Sequence, residues 1–217
     1  MRTEVLTMAD SLDWLALAEY YSVSTGTIAS WNQQFTDHHP TGEYQRVAEQ
    51  LCWALISEYE HLSEEEIRHY EDKLNWHVLS QHQRLSEELI SRNTHRVHWI
   101  KISHHQRLSE EFIDRYRSYV HWEAICWFQV LSEEFIDRHR DRVSWEDVGR
   151  HQVLSEEFII NHQAQLAWRD VSHCQELSEE FILAHLHQLD LEAIGQRYPM
   201  VYERYNLGVY QTLTCSG

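Results

Sequence analysis

The tetrapeptide Leu-Ser-Glu-Glu begins at Leu62, Leu85, Leu108, Leu131, Leu154 and Leu177, and every interval is 23 residues with no insertion. Fourteen residues after each of the first five stands a tryptophan (Trp76, Trp99, Trp122, Trp145, Trp168), and the sixth has Leu191 there. Two residues before that position the chain carries Leu74, Val97, Val120, Val143, Leu166 or Leu189. Three residues after it come Leu79, Ile102, Ile125, Val148, Val171 or Ile194. A fixed period of this length confines the chain to stacked copies of one small unit, because no single unit can bury its own apolar face.

Within a unit the spacing is helical. Ser is a good N-cap, and the two Glu after it fall in the first helical turn, where they complement the positive end of the helix dipole. A second short helix starts near the Trp, with an aliphatic residue three on and the next Leu nine on facing inward. Each unit is thus predicted to be two helices of roughly 8–10 residues, neither stable alone. The spine of Trp, Ile, Phe and Leu side chains is expected to be hidden from water when units stack.

The frame extends backwards through Leu51, Trp53 and Ile56, giving a divergent repeat over 39–61. Trp14, Leu17, Ala18, Val23, Ser24 and Ile28 fit the same pattern at an offset of 62 rather than 69 residues, giving a divergent unit over 1–38. Residues 62–199 hold the six regular repeats, and 200–217 break the pattern and are expected to cap them. The predicted fold is all-α: a right-handed α-solenoid of about eight short, helix-turn-helix-like repeats with atypical ends. Only 6 Gly and 2 Pro are present, which argues against sandwiches, barrels and phosphate-cradling loops.

Charge narrows the partners. Lys plus Arg number 18 against 35 Asp plus Glu, a formal charge of −17. That balance disfavours a nucleic-acid backbone or an anionic membrane surface, both of which require clustered cations, and suits a basic partner. The 17 His can bring the charge to zero when all are protonated, so charge and solubility are expected to change steeply between pH 7 and 5. No window approaches the 18 apolar residues of a membrane span. The N-terminal MRTEVLTMADSLDW lacks a secretory pattern, and Cys52, Cys126, Cys174 and Cys215 form no CxxC pair, so reduced thiols in the cytoplasm are expected.

LSEEFIDRHRDRVSWEDVGRHQVLSEEFI resembles the short helical repeats of bacteriophages and giant viruses that are built on Leu-Ser-Glu-Glu-Phe-Ile and Val-x-Trp-x-x-Ile-Ser. The resemblance covers 62–199 well and 39–61 loosely. It implies a viral origin, and together with the acidity it suggests a non-enzymatic inhibitor of a host defence system, anti-CRISPR-like, acting in the host cytoplasm. Residues Leu15 to Trp31 resemble a helix-turn-helix, but Thr25–Phe35 carries no Lys or Arg for reading DNA, so the first solenoid unit is the better account.

The candidate partner-binding residues are the recurring pairs Glu64/Glu65, Glu87/Glu88, Glu110/Glu111, Glu133/Glu134, Glu156/Glu157 and Glu179/Glu180. Packed helices about 8–10 Å apart with two charges per unit place one charge per about 4–5 Å, against one per about 3.4 Å along a DNA strand. The expected partner is therefore a host protein with a basic nucleic-acid-binding groove, occluded by DNA mimicry. The plainer reading is that the pairs only stabilise helix N-termini.

Direct nucleic-acid binding through the Arg-containing connections (Arg92, Arg96, Arg115, Arg117, Arg138, Arg140, Arg142) is the less favoured alternative. A plain protein–protein scaffold is another, and a homodimer is open to a chain whose ends can stack. Catalysis at the pairs is not expected, since identical exposed pairs cannot split their pKa values. No metal or cofactor site is expected, although His82, His105 and His151 share one repeat position and His139, His162 and His185 another. Trp31 and Trp127 lie outside the Trp frame, and with Tyr116, Phe128, Tyr202, Tyr205 and Tyr210 they are candidates for a contact surface.

Overall fold

The computed structural model describes Gln50 and residues 53–207. The units expected over 1–38 and most of 39–61, the helix-turn-helix-like stretch, Trp31 and Tyr210 lie outside the described residues. Those described are all-helical, with neighbouring helices packing in a regular 23-residue repeat as in an α-solenoid, and no strand occurs among them.

The helices are α1 (residues 53–59), α2 (Glu64–His69), α3 (Trp76–His82), α4 (Glu87–Arg92), α5 (Trp99–His105), α6 (Glu110–Arg115) and α7 (Trp122–Phe128). They continue as α8 (Glu133–Arg138), α9 (Trp145–His151), α10 (Glu156–Asn161), α11 (Trp168–Cys174), α12 (Glu179–Ala184), α13 (Leu191–Arg197) and α14 (Pro199–Arg204). The chain divides into two compact units, Met1–Arg107 and Leu108–Gly217. Within the first, α3 packs on α5; within the second, α7, α9, α11 and α13 pack in succession and α14 covers α13.

Helices α2 to α14 are six or seven residues long, shorter than expected. Each first helix is capped by its Ser: the hydroxyls of Ser86, Ser109, Ser132, Ser155 and Ser178 accept the backbone N–H three residues on. Ser63 completes a capping box with Glu66. The second helices are capped by Asn75, His98, His121, Ser144 or Asp190, and Ala167 supplies no side-chain cap. Both His caps accept through Nδ1, at 3.4 Å.

The centre of the core is aliphatic. Ile67, Ile90, Ile113, Ile136, Ile159 and Ile182 from first helices are fully enclosed. So are Leu79, Ile102, Ile125, Val148, Val171 and Ile194 from second helices. The tryptophans correct the expected hidden spine: Trp53 and Trp76 are buried, whereas Trp99, Trp122, Trp145 and Trp168 are half-buried. Trp76, Trp99, Trp122 and Trp145 each use the indole N–H to bond the carbonyl five residues earlier, at 2.8 to 3.2 Å, so the ring closes its own connection.

Five buried glutamines hold neighbouring repeats together. Gln152 Oε1 accepts the Leu131 N–H (2.9 Å), and its Nε2 donates to the carbonyls of Cys126 (2.6 Å) and Gln129 (2.8 Å). Gln83, Gln106 and Gln175 repeat the arrangement, serving Leu62, Leu85 and Leu154, and Gln129 accepts from Leu108. These amides satisfy the last carbonyls of one second helix and the N–H of the extended link after it, groups a buried helix end otherwise orphans. At the end of the array Tyr198 Oη accepts the Leu177 N–H (2.8 Å), and Arg197 donates to the carbonyls of Ser172 and Gln175.

A serine in the second helix adds another link: Ser57, Ser80 and Ser172 donate to the carbonyl four residues back and accept the N–H eighteen residues on. Cys126 and Gly149 stand in this register. A Cβ on Gly149 would meet Leu166 Cδ2 at 3.4 Å, an ordinary contact, in keeping with the Ser and Cys found at this position in other repeats. Burial pushes the Cys126 thiol up to about 11.

Candidate interaction surface

The structure separates the two members of each glutamate pair. Glu64, Glu87, Glu110, Glu133, Glu156 and Glu179 are half-buried, and Glu65, Glu88, Glu111, Glu134, Glu157 and Glu180 are exposed. The inner members bridge repeats. Glu110 accepts the Ser132 N–H (2.5 Å) and hydroxyl (3.0 Å), Glu133 accepts the same groups of Ser155 (2.5 and 3.1 Å), and Glu156 accepts the Ser178 N–H (2.6 Å). Glu64 pairs with Arg68 on its own helix. Glu179, with no repeat beyond it, is met by the Tyr205 hydroxyl (2.7 Å) and the Arg204 guanidinium (3.0 Å), which hold its carboxyl below the usual range.

The outer members face solvent, and three have cations one turn away: Glu88–Arg92 (2.6 Å), Glu111–Arg115 (3.0 Å) and Glu134–Arg138 (2.8 Å). Glu65, Glu157 and Glu180 have no such pair among the described residues. The expected ladder of two outward charges per repeat is therefore halved to about one per 8–10 Å, and partly neutralised. It matches a DNA strand poorly.

The charge is unevenly placed. Residues 62–107 hold seven acidic and seven basic residues, whereas 108–199 hold 18 acidic and eight basic. In 62–107 a cleft of about 390 Å³ is lined by Arg68, Glu71, Leu89, Arg92, Asn93, His95 and Arg96. Its arginines are engaged, Arg68 by Glu64, Arg92 by Glu88, and Arg96 by Asp72 and the Glu71 carbonyl. In 108–199, Arg115 and Arg138 are likewise paired, Arg117 lies 3.8 Å from Asp114, and Arg142 donates to the Arg117 carbonyl. Each of these arginines thus has an acidic or carbonyl partner, although Arg92, Arg115, Arg117 and Arg138 stay more than half exposed.

The two histidine series differ. His139, His162 and His185 pack on aromatic rings: His139 on Trp122 and Phe135, His162 on Trp145 and Phe158, His185 on Trp168 and Phe181. His139 Nε2 lies 3.4 Å from Asp114 but is too poorly aligned to hydrogen-bond, and burial lowers its pKa. His82, His105 and His151 are exposed, and His151 stacks flat on Trp127 with centroids 4.1 Å apart. Among the described residues no three His, Cys, Asp or Glu side chains converge on a metal position, and no helix is long and apolar enough to cross a membrane.

Of the candidate contact aromatics, Trp127, Phe128 and Tyr205 are exposed, and Tyr116 and Tyr202 are half-buried, Tyr116 against Phe112. Trp127 and Phe128 sit at the end of α7, just before the exposed Val130, and the exposed Val153 follows His151, which stacks on Trp127. The glutamine links are absent from the motif reading, although the signal was available: Gln83, Gln106, Gln129, Gln152 and Gln175 stand two residues before each Leu at the same 23-residue interval.

No protein-family model, curated protein or solved structure matches this chain.

Proposed function

We propose that this chain is a non-enzymatic repeat scaffold that captures a basic protein, chiefly on residues 108–199. The observation that carries the reading is the excess of ten acidic residues in 108–199, where Glu110, Glu133 and Glu156 are held by the serine of the next repeat while Glu157 and Glu180 face solvent with no cation one turn on. Rigid stacked repeats present extended surfaces suited to such capture, and the attraction speeds association in a salt-dependent way.

In the finer form of this proposal, supported by the resemblance to viral repeats, the partner is a host protein whose basic nucleic-acid groove is occluded, as an anti-CRISPR protein would do. The sparse outer ladder favours recognition by mixed polar and apolar contacts over imitation of a DNA strand.

The test is fluorescence anisotropy with a labelled nona-arginine peptide as the basic probe, followed by affinity capture from bacterial lysate. Replacing Glu157 and Glu180 by Lys should weaken peptide binding severalfold at 50 mM salt, and captured proteins should be basic and lose bound nucleic acid. Unchanged affinity in the charge-reversed variant, or a gel shift of DNA by the chain itself, would refute the reading.

A further inference from the structure

The repeats supply their own internal comparison. The position just before each Leu holds His61, Arg84, Arg107, Val130, Val153 and Glu176 in turn. Where α7 ends in Trp127–Phe128, the neighbouring repeats carry His104–His105 and Arg150–His151. The same fold accepts charged and polar side chains at these positions, so packing does not require the apolar ones. Trp127 and Phe128 are nevertheless 53% and 50% exposed, and Val130 and Val153 are 95% and 90% exposed. Exposed apolar side chains at positions where other repeats carry charged or polar ones mark an interaction site.

The patch is also held in shape. Trp127 stacks on His151 (4.1 Å, 19° between ring planes) and on Phe128 (5.7 Å, 20°), which ties α7 to α9. Gln129 and Gln152, each one residue before an exposed Val, are buried, and Gln152 clamps the Gln129 carbonyl. A surface already ordered loses little side-chain freedom on binding.

Charge selects the occupant. Glu123 stands one turn before Trp127 on α7, which has no Lys or Arg. The one guanidinium on α9, Arg150, is taken up by Glu146 (2.5 Å) and Asp170 (3.0 Å). A second copy would bring its own excess of acidic residues against this one, and an anionic lipid surface is likewise repelled. An arginine, by contrast, is attracted to the exposed Trp127 indole one turn from Glu123, the pairing of Trp with Arg common at binding hot spots.

We propose that Trp127, Phe128, Val130, His151 and Val153 form the docking site for a basic protein segment that places an apolar side chain next to an arginine or lysine. This inference rests on the proposed capture of a basic protein and specifies where the apolar part of that contact falls.

The experiment uses the full chain and three fluorescein-labelled peptides of equal length: alternating Leu and Arg, alternating Leu and Glu, and alternating Gly and Arg. Anisotropy is read at 0.15 and 0.5 M NaCl. The Leu–Arg peptide should bind and retain affinity at high salt, the Gly–Arg peptide should lose it, and the Leu–Glu peptide should not bind. Trp127→Ala should weaken the Leu–Arg peptide at least about tenfold. The double change Val130→Arg with Val153→Glu should do the same; it borrows residues that other repeats carry there, so the fold is kept.

No binding of the Leu–Arg peptide, equal binding of the Leu–Glu peptide, or unchanged affinity in both variants would overturn the proposal. So would Trp127-dependent dimerisation in sedimentation equilibrium or Trp127-dependent binding to phosphatidylcholine vesicles. Charge reversal at Glu157 and Glu180 separates the two readings. If it still weakens nona-arginine binding while Trp127→Ala changes nothing, the docking site is wrong and the scaffold reading stands.

Discussion

Replacing Gln152 by Leu keeps the side-chain volume close to constant and removes three hydrogen bonds at once. The Leu131 N–H and the carbonyls of Cys126 and Gln129 then lose the partner that satisfies them between two packed repeats. A buried polar group left unsatisfied costs about 1–3 kcal/mol, so three such groups set a range of about 3–9 kcal/mol. Relaxation and water entry at the link bring the expected loss to about 3–5 kcal/mol. In a stack held by nearest-neighbour contacts this is enough to uncouple the junction, so unfolding should broaden as well as shift.

The assay is urea denaturation followed by circular dichroism at 222 nm, with Gln163→Leu, an exposed glutamine in the following repeat, as the control. The control should shift stability by less than about 0.5 kcal/mol. If Gln152→Leu costs under about 1 kcal/mol with an unchanged transition slope, the glutamine links do not hold the repeats together.

Two further outcomes follow from the division of each glutamate pair and from the buried histidine. Glu133→Ala should cost about 1–2 kcal/mol in the same denaturation assay, since it strips the Ser155 N–H and hydroxyl of their acceptor, while Glu134→Ala, an exposed partner of Arg138, should cost less than about 1 kcal/mol; equal losses would refute the distinction. Because burial holds the pKa of His139 below 6.5, against the pull of Asp114, the unfolded chain binds the extra proton. The stability linked to His139 is therefore complete above about pH 6.5 and is lost as pH falls through the depressed folded value. Urea midpoints at pH 7.5 and 5.5 should differ less in His139→Tyr, which copies Tyr116 of the preceding repeat, and an undiminished difference would show that His139 is not the source.

Period, helical class and capping were legible in the sequence because they depend on local chemistry. A Ser followed by two Glu starts a helix wherever it stands, and 23-residue recurrence fixes which side chains share an environment. The roles of the two glutamates were not legible, since adjacent residues of one type differ only in which of them the next repeat approaches. Nor was the depth of the tryptophans: the spacing places Trp122 or Trp145 toward the core, but their N–H groups turn to the Arg117 and Arg140 carbonyls and the residues stay half-buried.

Sequence by itself determined a stack of short helices, its register, and an excess of carboxylates toward the C-terminal repeats. Tertiary structure alone decided which carboxylates are spent on holding repeats together and which face outward, and that Trp127, Phe128, Val130 and Val153 are exposed. The physical reason is that a hydrogen bond or a buried face is a property of two segments in contact. The one-dimensional pattern specifies each segment, and the packing of neighbours, here closed by Gln152, determines what they can reach.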